Sequence, residues 1–503
     1  MRHVARHHPH VNRRTGSRAT GSTLAYLAIA TILVACSSNK KLGALDGSPV
    51  RDVPDTVALM GLPVLTPNSP DSPNPALTPN APTALAPITM TPIKSAKPSL
   101  IDDPYAQPGW VLAENAKPGT IDWRLPQTVL SSEQESPAGW IEGFANATSM
   151  QAGHDLTLFV DTPAATFTAD AYRMGWYGGA QGRLIWTSPP TNGGRQLKAT
   201  FDKTTGTAEA PWHASMTVPI TSDWPPGQYL LKLLSDQGGT HYVPLTVRDD
   251  RAAGGLLIVS AVTTWQAYNP WGGCSVYTCA PDRHHDRAQV VSFNRPYSHE
   301  YQHGSADFLD HELPLVSLVE QVGLDAEYVT DIDLHQQPDL ASARHGVITL
   351  GHDEYYSTPM RDALETAVAH GVNLAFLGAN AVYRHIRLSP DAAGRPDRIM
   401  ANYREQTDPM TRIDPQQATV QWRNPPLRRP EATLIGVQYG CAGVHAPMHL
   451  VNTRNWIFAG TNAANGQSIA NLVGVEFDEL AGRSSTPAGL EVLAASPVTC
   501  RGQ

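Results

Sequence analysis

The segment "HGVITLGHDEYYSTPMRDALETAVAHGVNLAFLGAN" (345–380) decides the fold of the second half of this sequence. It contains an apolar run, a polar stretch, a helical pattern and a second apolar run. Short continuous apolar runs are typical of strands buried on both faces of a parallel sheet, and a helix between two of them makes a βαβ unit. Thr358 is predicted to cap the helix, with Pro359 in its first turn and Gly371 at its end.

The same alternation of strand and helix precedes this segment. The apolar run "GLLIVSAV" (255–262) is followed by a helical pattern, "FLDHELPLVSLVEQVG" (308–323), and then by the strand-like "AEYVTD" (326–331). Right-handed crossovers between such strands give a parallel sheet. We therefore predict that residues 249–503 form an α/β layered domain with a mainly parallel sheet.

A different pattern fills residues 121–248. Short runs of alternating apolar and polar residues, such as "HDLTLFVDT" (154–162) and "GQYLLKLLSD" (227–236), are separated by turn residues. This alternation predicts half-buried antiparallel strands and an all-β sandwich domain. The aromatic residues of "YRMGWYGG" (172–179) favour core and turn packing, and a sugar-binding platform is the alternative.

The N-terminus carries a targeting pattern. Basic residues precede the apolar run "LAYLAIATILVA" (24–35), which is too short to span a bilayer, and Cys36 follows directly. Residues 1–36 are predicted to be a lipoprotein signal peptide with a lipobox, in which Cys36 becomes the lipidated residue. A plain signal peptide and an anchor helix are the alternatives.

The region between the signal and the predicted sandwich is rich in Pro, Ser and Thr. Residues 37–120 are predicted to be a disordered tether, because such a composition buries too little apolar surface to offset the entropy of ordering. A tethered lipoprotein would be anchored to a membrane of the bacterial cell envelope, in the periplasm or at the cell surface. The net charge of −9 without a basic block makes nucleic acid an unsuitable partner.

The cysteines agree with export. If Cys36 carries the lipid, an even number of thiols remains, at Cys274, Cys279, Cys441 and Cys500. Two disulfides are expected in an oxidising compartment, and three pairings are possible. The pairing of Cys274 with Cys279 and of Cys441 with Cys500 closes the most local loop.

Three polar segments follow predicted strands: 263–277, 351–357 and 378–383. Ligands of open α/β sheets bind beyond the carboxyl ends of the strands, so these segments predict one crevice. The sequence contains no GxSxG elbow, phosphate-binding glycine loop or HExxH helix. The available groups are histidine, carboxylate and tyrosine oxygens, which suit acid–base chemistry or a hard cation such as ferric iron.

Several motifs together resemble the C-terminal catalytic domain of the N,N-dimethylformamidase large (beta) subunit family. They include "TTWQAYNPWGG" (263–273), "GHDEYYSTPMRDALE" (351–365), "VNLAFLGANAVYR" (372–384) and, in the sandwich, "YRMGWYGGAQGRL" (172–184). The resemblance covers about residues 120–500. It implies an iron-dependent amidohydrolase with a mononuclear ferric centre held by two tyrosines and a glutamate.

Matching positions of the motifs assign the site residues that the resemblance implies. The iron ligands would be Tyr268, Tyr277 and Glu354. The catalytic or substrate-orienting groups beside the metal would be His352, Asn380 and Glu476. The substrate would be a small-molecule amide or related C–N compound, and dimethylformamide itself is not expected because the chain is predicted to be tethered. A homo-oligomer or a small partner subunit is compatible with the resemblance.

Less specific roles remain open for the same residues. The two tyrosines could pack against Trp265 and Trp271, and the glutamate and histidine could cap the following helix or pair with Arg361. The run "DRHHD" (282–286) favours a solvated loop over a metal site. The alternative function is a non-catalytic surface lipoprotein that binds glycan or peptide.

Overall fold

The computed structural model describes residues 104–126, 132–134, 136–251, 255–404, 408–482 and 485–500. All of these residues belong to one compact unit. The predicted signal peptide with Cys36, and the predicted tether as far as residue 103, lie outside the described residues. Within the described ranges, no helix is long and apolar enough to cross a membrane.

Strands dominate the described secondary structure. Those before residue 250 are β1 (Glu142–Ala145), β2 (Ser149–Gln151), β3 (His154–Met174), β4 (Gly182–Thr187), β5 (Thr191–Gly194), β6 (Thr200–Asp202), β7 (Thr207–Glu209), β8 (Met216–Ile220), β9 (Gly227–Ser235) and β10 (Thr240–Arg248). Those after it are β11 (Leu256–Ser260), β12 (Val290–Ser292), β13 (Ala326–Thr330), β14 (Gly346–Thr349), β15 (Tyr355–Tyr356), β16 (Asn373–Phe376), β17 (Arg384–His385), β18 (Arg387–Ser389), β19 (Ile399–Ala401), β20 (Gln438–Leu450), β21 (Ser468–Glu479) and β22 (Ala494–Ala495).

The described helices are short. They are α1 (Trp110–Asn115), α2 (Val262–Tyr268), α3 (Leu313–Gln321), α4 (Asp331–Gln336), α5 (Asp339–Ser342), α6 (Thr358–Ala369), α7 (Met410–Ile413) and α8 (Ala432–Ile435). Helix α1 lies inside the segment predicted as tether, and its Trp110 and Val111 are buried. The described fold therefore begins before residue 121, and the other predicted domain boundaries stay predictions.

Strand β3 organises the all-β region. Its first part pairs antiparallel with β1 and β8, and its last part pairs antiparallel with β4 and β9. Pro163 lies near the change of partners, where a residue without an N–H group is tolerated. Side chains of both parts, such as Leu158 and Ala171, lie in one buried cluster. The aromatic residues Tyr172 and Tyr177 are also buried, so they form no exposed sugar platform.

A parallel sheet follows, with the strand order β13-β11-β14-β16. Successive residues of its strands pack into two different clusters of buried apolar side chains. Ile258 of β11 lies in a buried cluster with Val316 of α3, and Leu257 lies in another with Leu364 of α6. Burial on both faces explains why these strands read as continuous apolar runs.

Beyond the parallel sheet, the chain is again mostly β. Strands β12, β19 and β18 form a small antiparallel sheet, and β20 and β21 form a long antiparallel hairpin with β22 beside it. The prediction of a parallel sheet after an all-β region therefore agrees with the structure. The layered α/β architecture for the whole of 249–503 is not confirmed, because the described residues form parallel and mixed sheets with few helices.

The start of α6 differs by one residue from the prediction. Ser357, not Thr358, caps the helix, and its side chain accepts a hydrogen bond from the backbone N–H of Met360 at 3.4 Å. Thr358 and Pro359 lie in the first turn, where proline's missing N–H costs nothing. Gly371 follows the helix with φ of 84°, a left-handed conformation that glycine adopts without strain.

Candidate active site

The order of the parallel strands creates a crevice. The chain passes from β11 to β13 on one side and then returns to β14 on the other side of β11. Ligands of open sheets bind where the connections diverge in this way, beyond the carboxyl ends of the strands. Helix α2 follows β11 at this point and ends at Tyr268, and the segment after β14 carries Glu354.

Tyr268, Tyr277 and Glu354 converge in this crevice. The Tyr268 hydroxyl donates to Oε2 of Glu354 at 3.1 Å, and the Tyr277 hydroxyl donates to the same oxygen at 2.6 Å. The two phenol rings stack with their centroids 4.2 Å apart. The structure thus brings together the three side chains that the family resemblance pairs with iron.

The backbone around Glu354 fixes its position. Its N–H donates to the Thr264 hydroxyl at 3.0 Å, and its C=O accepts from the N–H groups of Tyr383 and Arg384 at 2.9 Å each. The residue is only 1% exposed. Nε of Arg384 lies 3.4 Å from the second carboxylate oxygen, Oε1. One oxygen of Glu354 therefore faces the phenols and the other faces a guanidinium.

Burial and the neighbouring negative charge keep the two phenols protonated unless a cation binds among these oxygens. Burial raises the pKa of Tyr268, and the negative charge of Glu354 raises it further. Burial also raises the pKa of Tyr277, with Tyr355 and Glu354 adding to the effect. Two phenolates beside a carboxylate are unfavourable unless a highly charged ion offsets them. The donor set therefore fits a hard cation such as Fe³⁺.

Tyrosine oxygens are essential to any metal site in this crevice. Within the part of the chain that the structure describes, no group of three or more His, Cys, Asp or Glu side chains could hold a metal ion. The loop 282–286 also lacks such a group, and the half-buried His285 contacts the backbone C=O of Lys203 instead. The solvated interpretation of that loop agrees with this contact.

His352, Asn380 and Glu476 lie beside the phenol–carboxylate cluster. Nε2 of His352 is 3.1 Å from Oε2 of Glu476 and 3.6 Å from Oε2 of Glu354. Nδ2 of Asn380 is 3.3 Å from the same histidine nitrogen and 3.4 Å from Oε1 of Glu476. Burial lowers the pKa of His352, but the hydrogen bond to Glu476 and the charge of Glu354 outweigh it and raise the pKa to about 9.

The loops that carry His352 and Asn380 touch each other. A Cβ atom on Gly378 would lie 1.8 Å from the C=O oxygen of Gly351, so this approach requires glycine. Asn380 has φ of 65°, and its N–H donates to Oδ1 of Asp478 at 2.8 Å. Its side-chain Oδ1 is buried without a hydrogen-bond partner among the described residues.

Both disulfides of the predicted pairing are present. Cys274–Cys279 closes the loop that carries Tyr277, with Cα atoms 4.1 Å apart, and Cys441–Cys500 joins β20 to the C-terminal segment. The N–H groups of Tyr277 and Thr278 also donate to the Ser275 hydroxyl at 3.1 and 3.2 Å. The short bridge and these bonds together restrict the position of Tyr277.

Removal of the two disulfides should have unequal effects on stability. In the chain-entropy relation, a bridge contributes about 2 kcal/mol for the short Cys274–Cys279 loop and about 4 kcal/mol for the long Cys441–Cys500 loop. We expect the Cys441→Ser/Cys500→Ser variant to lose more free energy of unfolding than the Cys274→Ser/Cys279→Ser variant. Guanidinium unfolding of both proteins measures the difference, and the reverse order would contradict it.

Three residues outside the predicted site also border the cluster. The Tyr355 hydroxyl donates to the Tyr277 oxygen at 2.8 Å, and the Arg404 guanidinium lies 4.2 Å from the centre of the Tyr277 ring. Arg384 is the third. Tyr355 stands beside Glu354 in the sequence and could have been included, whereas no motif marks Arg404.

The ring and ion-pair contacts differ from those of the less specific roles, and Tyr268 and Tyr277 also pack against the buried cluster that contains Trp265. Trp265 has its ring contacts with Tyr297 and Phe308 and Trp271 has its ring contact with Trp212, so neither is the stacking partner of Tyr268 or Tyr277. Arg361 pairs with Glu365 on its own helix instead of with Glu354. Ser357, as described above, caps α6.

A buried carboxylate, a histidine and phenol oxygens that meet at the switch point of a parallel sheet define a candidate hydrolase site. The family model described as "N,N-dimethylformamidase beta subunit-like, C-terminal" matches residues 168–503, and the chain belongs to this family. The match begins inside β3, so it includes most of the all-β region as well as the crevice. No curated protein matches the chain.

Proposed function

We propose that this protein is a mononuclear-iron hydrolase that cleaves an amide or related C–N bond. One observation carries the proposal: two phenol oxygens, of Tyr268 and Tyr277, lie within 3.1 Å of a single carboxylate oxygen of Glu354. These three side chains would hold the iron. Bound there, ferric iron would supply Lewis-acid polarisation of the substrate carbonyl.

The neighbouring side chains supply the proton chemistry. Hydrolysis adds water across the C–N bond, and the departing amine must gain a proton. His352 is placed to deliver that proton from Nε2, because the Glu476 carboxylate 3.1 Å away holds a proton on this nitrogen. Nδ2 of Asn380 lies on the same side of the cluster and would donate a hydrogen bond to the substrate carbonyl oxygen as negative charge develops there.

The proposed setting of the reaction rests on the predicted signal peptide and on the description of the family. The predicted lipobox at Cys36 would anchor the chain in the bacterial cell envelope, where dimethylformamide is an unsuitable substrate and a small-molecule amide of unknown identity is expected. The family description names a beta subunit, so a small partner subunit or a homo-oligomer is part of the proposal.

Metal analysis of the purified full chain tests the proposed function. We expect about one iron per chain, a visible phenolate-to-iron absorption band, and slow hydrolysis of simple amides that stops when a chelator removes the iron. A protein without iron, without the band and without hydrolysis would instead be the glycan- or peptide-binding lipoprotein.

Substitution at the predicted lipid site should release the protein from membranes. We expect Cys36→Ser to move the chain from the membrane fraction to the soluble fraction, because the preceding apolar run is too short to anchor it. Immunoblots of fractionated cells measure the shift, with the wild-type chain as the reference. Full membrane retention of Cys36→Ser would contradict the lipid anchor.

A further inference from the structure

Arg384 lies against the proposed iron ligands with donors that are not used. Its side chain is 10% exposed, and Nε lies 3.4 Å from Oε1 of Glu354 without the geometry of a hydrogen bond. Neither Nε nor Nη1 has a hydrogen-bond partner among the described residues. Its guanidinium carbon lies 4.9 Å from the centre of the Tyr383 ring, which is a cation–π contact. The ring offers no acceptor to the N–H groups that lie in the plane of the guanidinium.

A second arginine beside the Tyr383 ring differs from Arg384, because its guanidinium has hydrogen-bond acceptors. Arg423 lies 5.3 Å from the centre of the Tyr383 ring and binds both carboxylate oxygens of Glu431 and the C=O of Tyr439. Buried charged groups are ordinarily paired in this way, because an unpaired donor loses its hydrogen bonds to water without replacement. Arg384 therefore differs from its neighbour in lacking an acceptor.

Glu354 is a poor permanent acceptor for Arg384. Its Oε2 already accepts from Tyr268 and Tyr277, and the Oε1–Nε distance of 3.4 Å leaves Nη1 without a contact. Arg404 adds a further positive charge over the Tyr277 ring. The crevice therefore places the positive charges of Arg384 and Arg404 beside the proposed metal site. A neutral amide substrate would provide no counter-charge for them.

We propose that the substrate carries a carboxylate that binds Arg384, so that the enzyme acts on an N-acyl amino-acid-like amide. Nη1 and Nη2 of the planar guanidinium together match a carboxylate with two parallel N–H bonds, which would give the unpaired Nη1 an acceptor while Nε stays toward Glu354. With its carboxylate on Arg384, such a substrate would present its amide toward Glu354, His352 and Asn380. This inference rests on the proposed function and adds the substrate class.

Two matched probes test the inference. N-acetylglycine and N-acetylglycinamide differ only in a carboxylate against a carboxamide, and calorimetry with the full, iron-containing chain gives both dissociation constants. We expect the carboxylate probe to bind at least about ten-fold tighter, a difference of ~1.4 kcal/mol. Arg384→Met should abolish the preference and Arg384→Lys should keep part of it, because lysine retains the charge without the planar fork.

A control variant separates local recognition from overall charge. Arg395→Met removes a guanidinium that is paired with Asp391 and should leave the preference unchanged. Equal affinity of the two probes in the wild type, a preference that survives in Arg384→Met, or no binding of either probe would overturn the inference. Hydrolysis of a neutral amide by the iron-containing wild type would still leave the proposed function standing in each case.

Discussion

The Glu354→Gln variant is expected to lose its iron and its hydrolytic activity together. Glutamine keeps the shape of the side chain but removes the negative charge, and its amide can turn N–H groups toward the phenol hydroxyls that now donate to Oε2. Loss of a residue that only supports a ligand costs about 10- to 100-fold in metal affinity or activity, so loss of a ligand should exceed about 100-fold. Iron content, the phenolate-to-iron band and hydrolysis rate measure the effect.

Two further variants make this result specific. Asn380→Ala should retain iron and lose rate, because its side chain reaches His352 and Glu476 but neither phenol. The exposed Glu300 provides a carboxylate control, and Glu300→Gln should keep both iron and rate. If Glu354→Gln retained about one iron per chain with wild-type rates, Glu354 would not be a ligand.

The sheet that positions the site could be predicted from the sequence. Strands β11 and β14 are buried on both faces, which makes them continuous apolar runs, and polar residues begin where each strand ends. Ligands of open α/β sheets bind beyond the carboxyl ends of the strands. Tyr268 and Glu354 could therefore be assigned to one crevice before the directions of their side chains were known. Their proposed roles as iron ligands came only from the family resemblance, because phenols and carboxylates suit many sites.

The remaining parts of the site could not be found in this way. Glu476 lies on the hairpin strand β21, and nothing in its local pattern tells where the hairpin packs. Arg384 and Arg404 acquire their positions through tertiary contacts with Glu354 and Tyr277. A guanidinium in the sequence carries no signal that it will lack a partner in the fold.

The contact between the all-β region and the parallel-sheet region is another feature that no local pattern predicts. Arg173 of β3 and Glu320 of α3 are fully buried, with Nη2–Oε1 and Nη1–Oε2 distances of 2.6 and 2.8 Å. Arg173 also donates to the C=O of Pro226, and Tyr328 donates to Oε1 of Glu320 at 2.7 Å. The Tyr177 hydroxyl and the Asn115 amide complete this buried network, whose members strengthen one another.

Arg173→Met should therefore be among the most destabilising single changes in this protein. It leaves the Glu320 carboxylate buried without its counter-charge, which costs about 3–5 kcal/mol of the free energy of unfolding. The control is Glu133→Gln, which breaks a pair with Arg195 at the same N–O distance of 2.6 Å, but with side chains 46% and 44% exposed, and leaves the contact between Arg195 and Asp161 in place. An exposed pair contributes only about 0–1 kcal/mol, so equal losses for the two variants in urea unfolding would contradict the prediction. The double variant Arg173→Met/Glu320→Gln should recover part of the loss, because it removes the unpaired charge that the single change leaves behind.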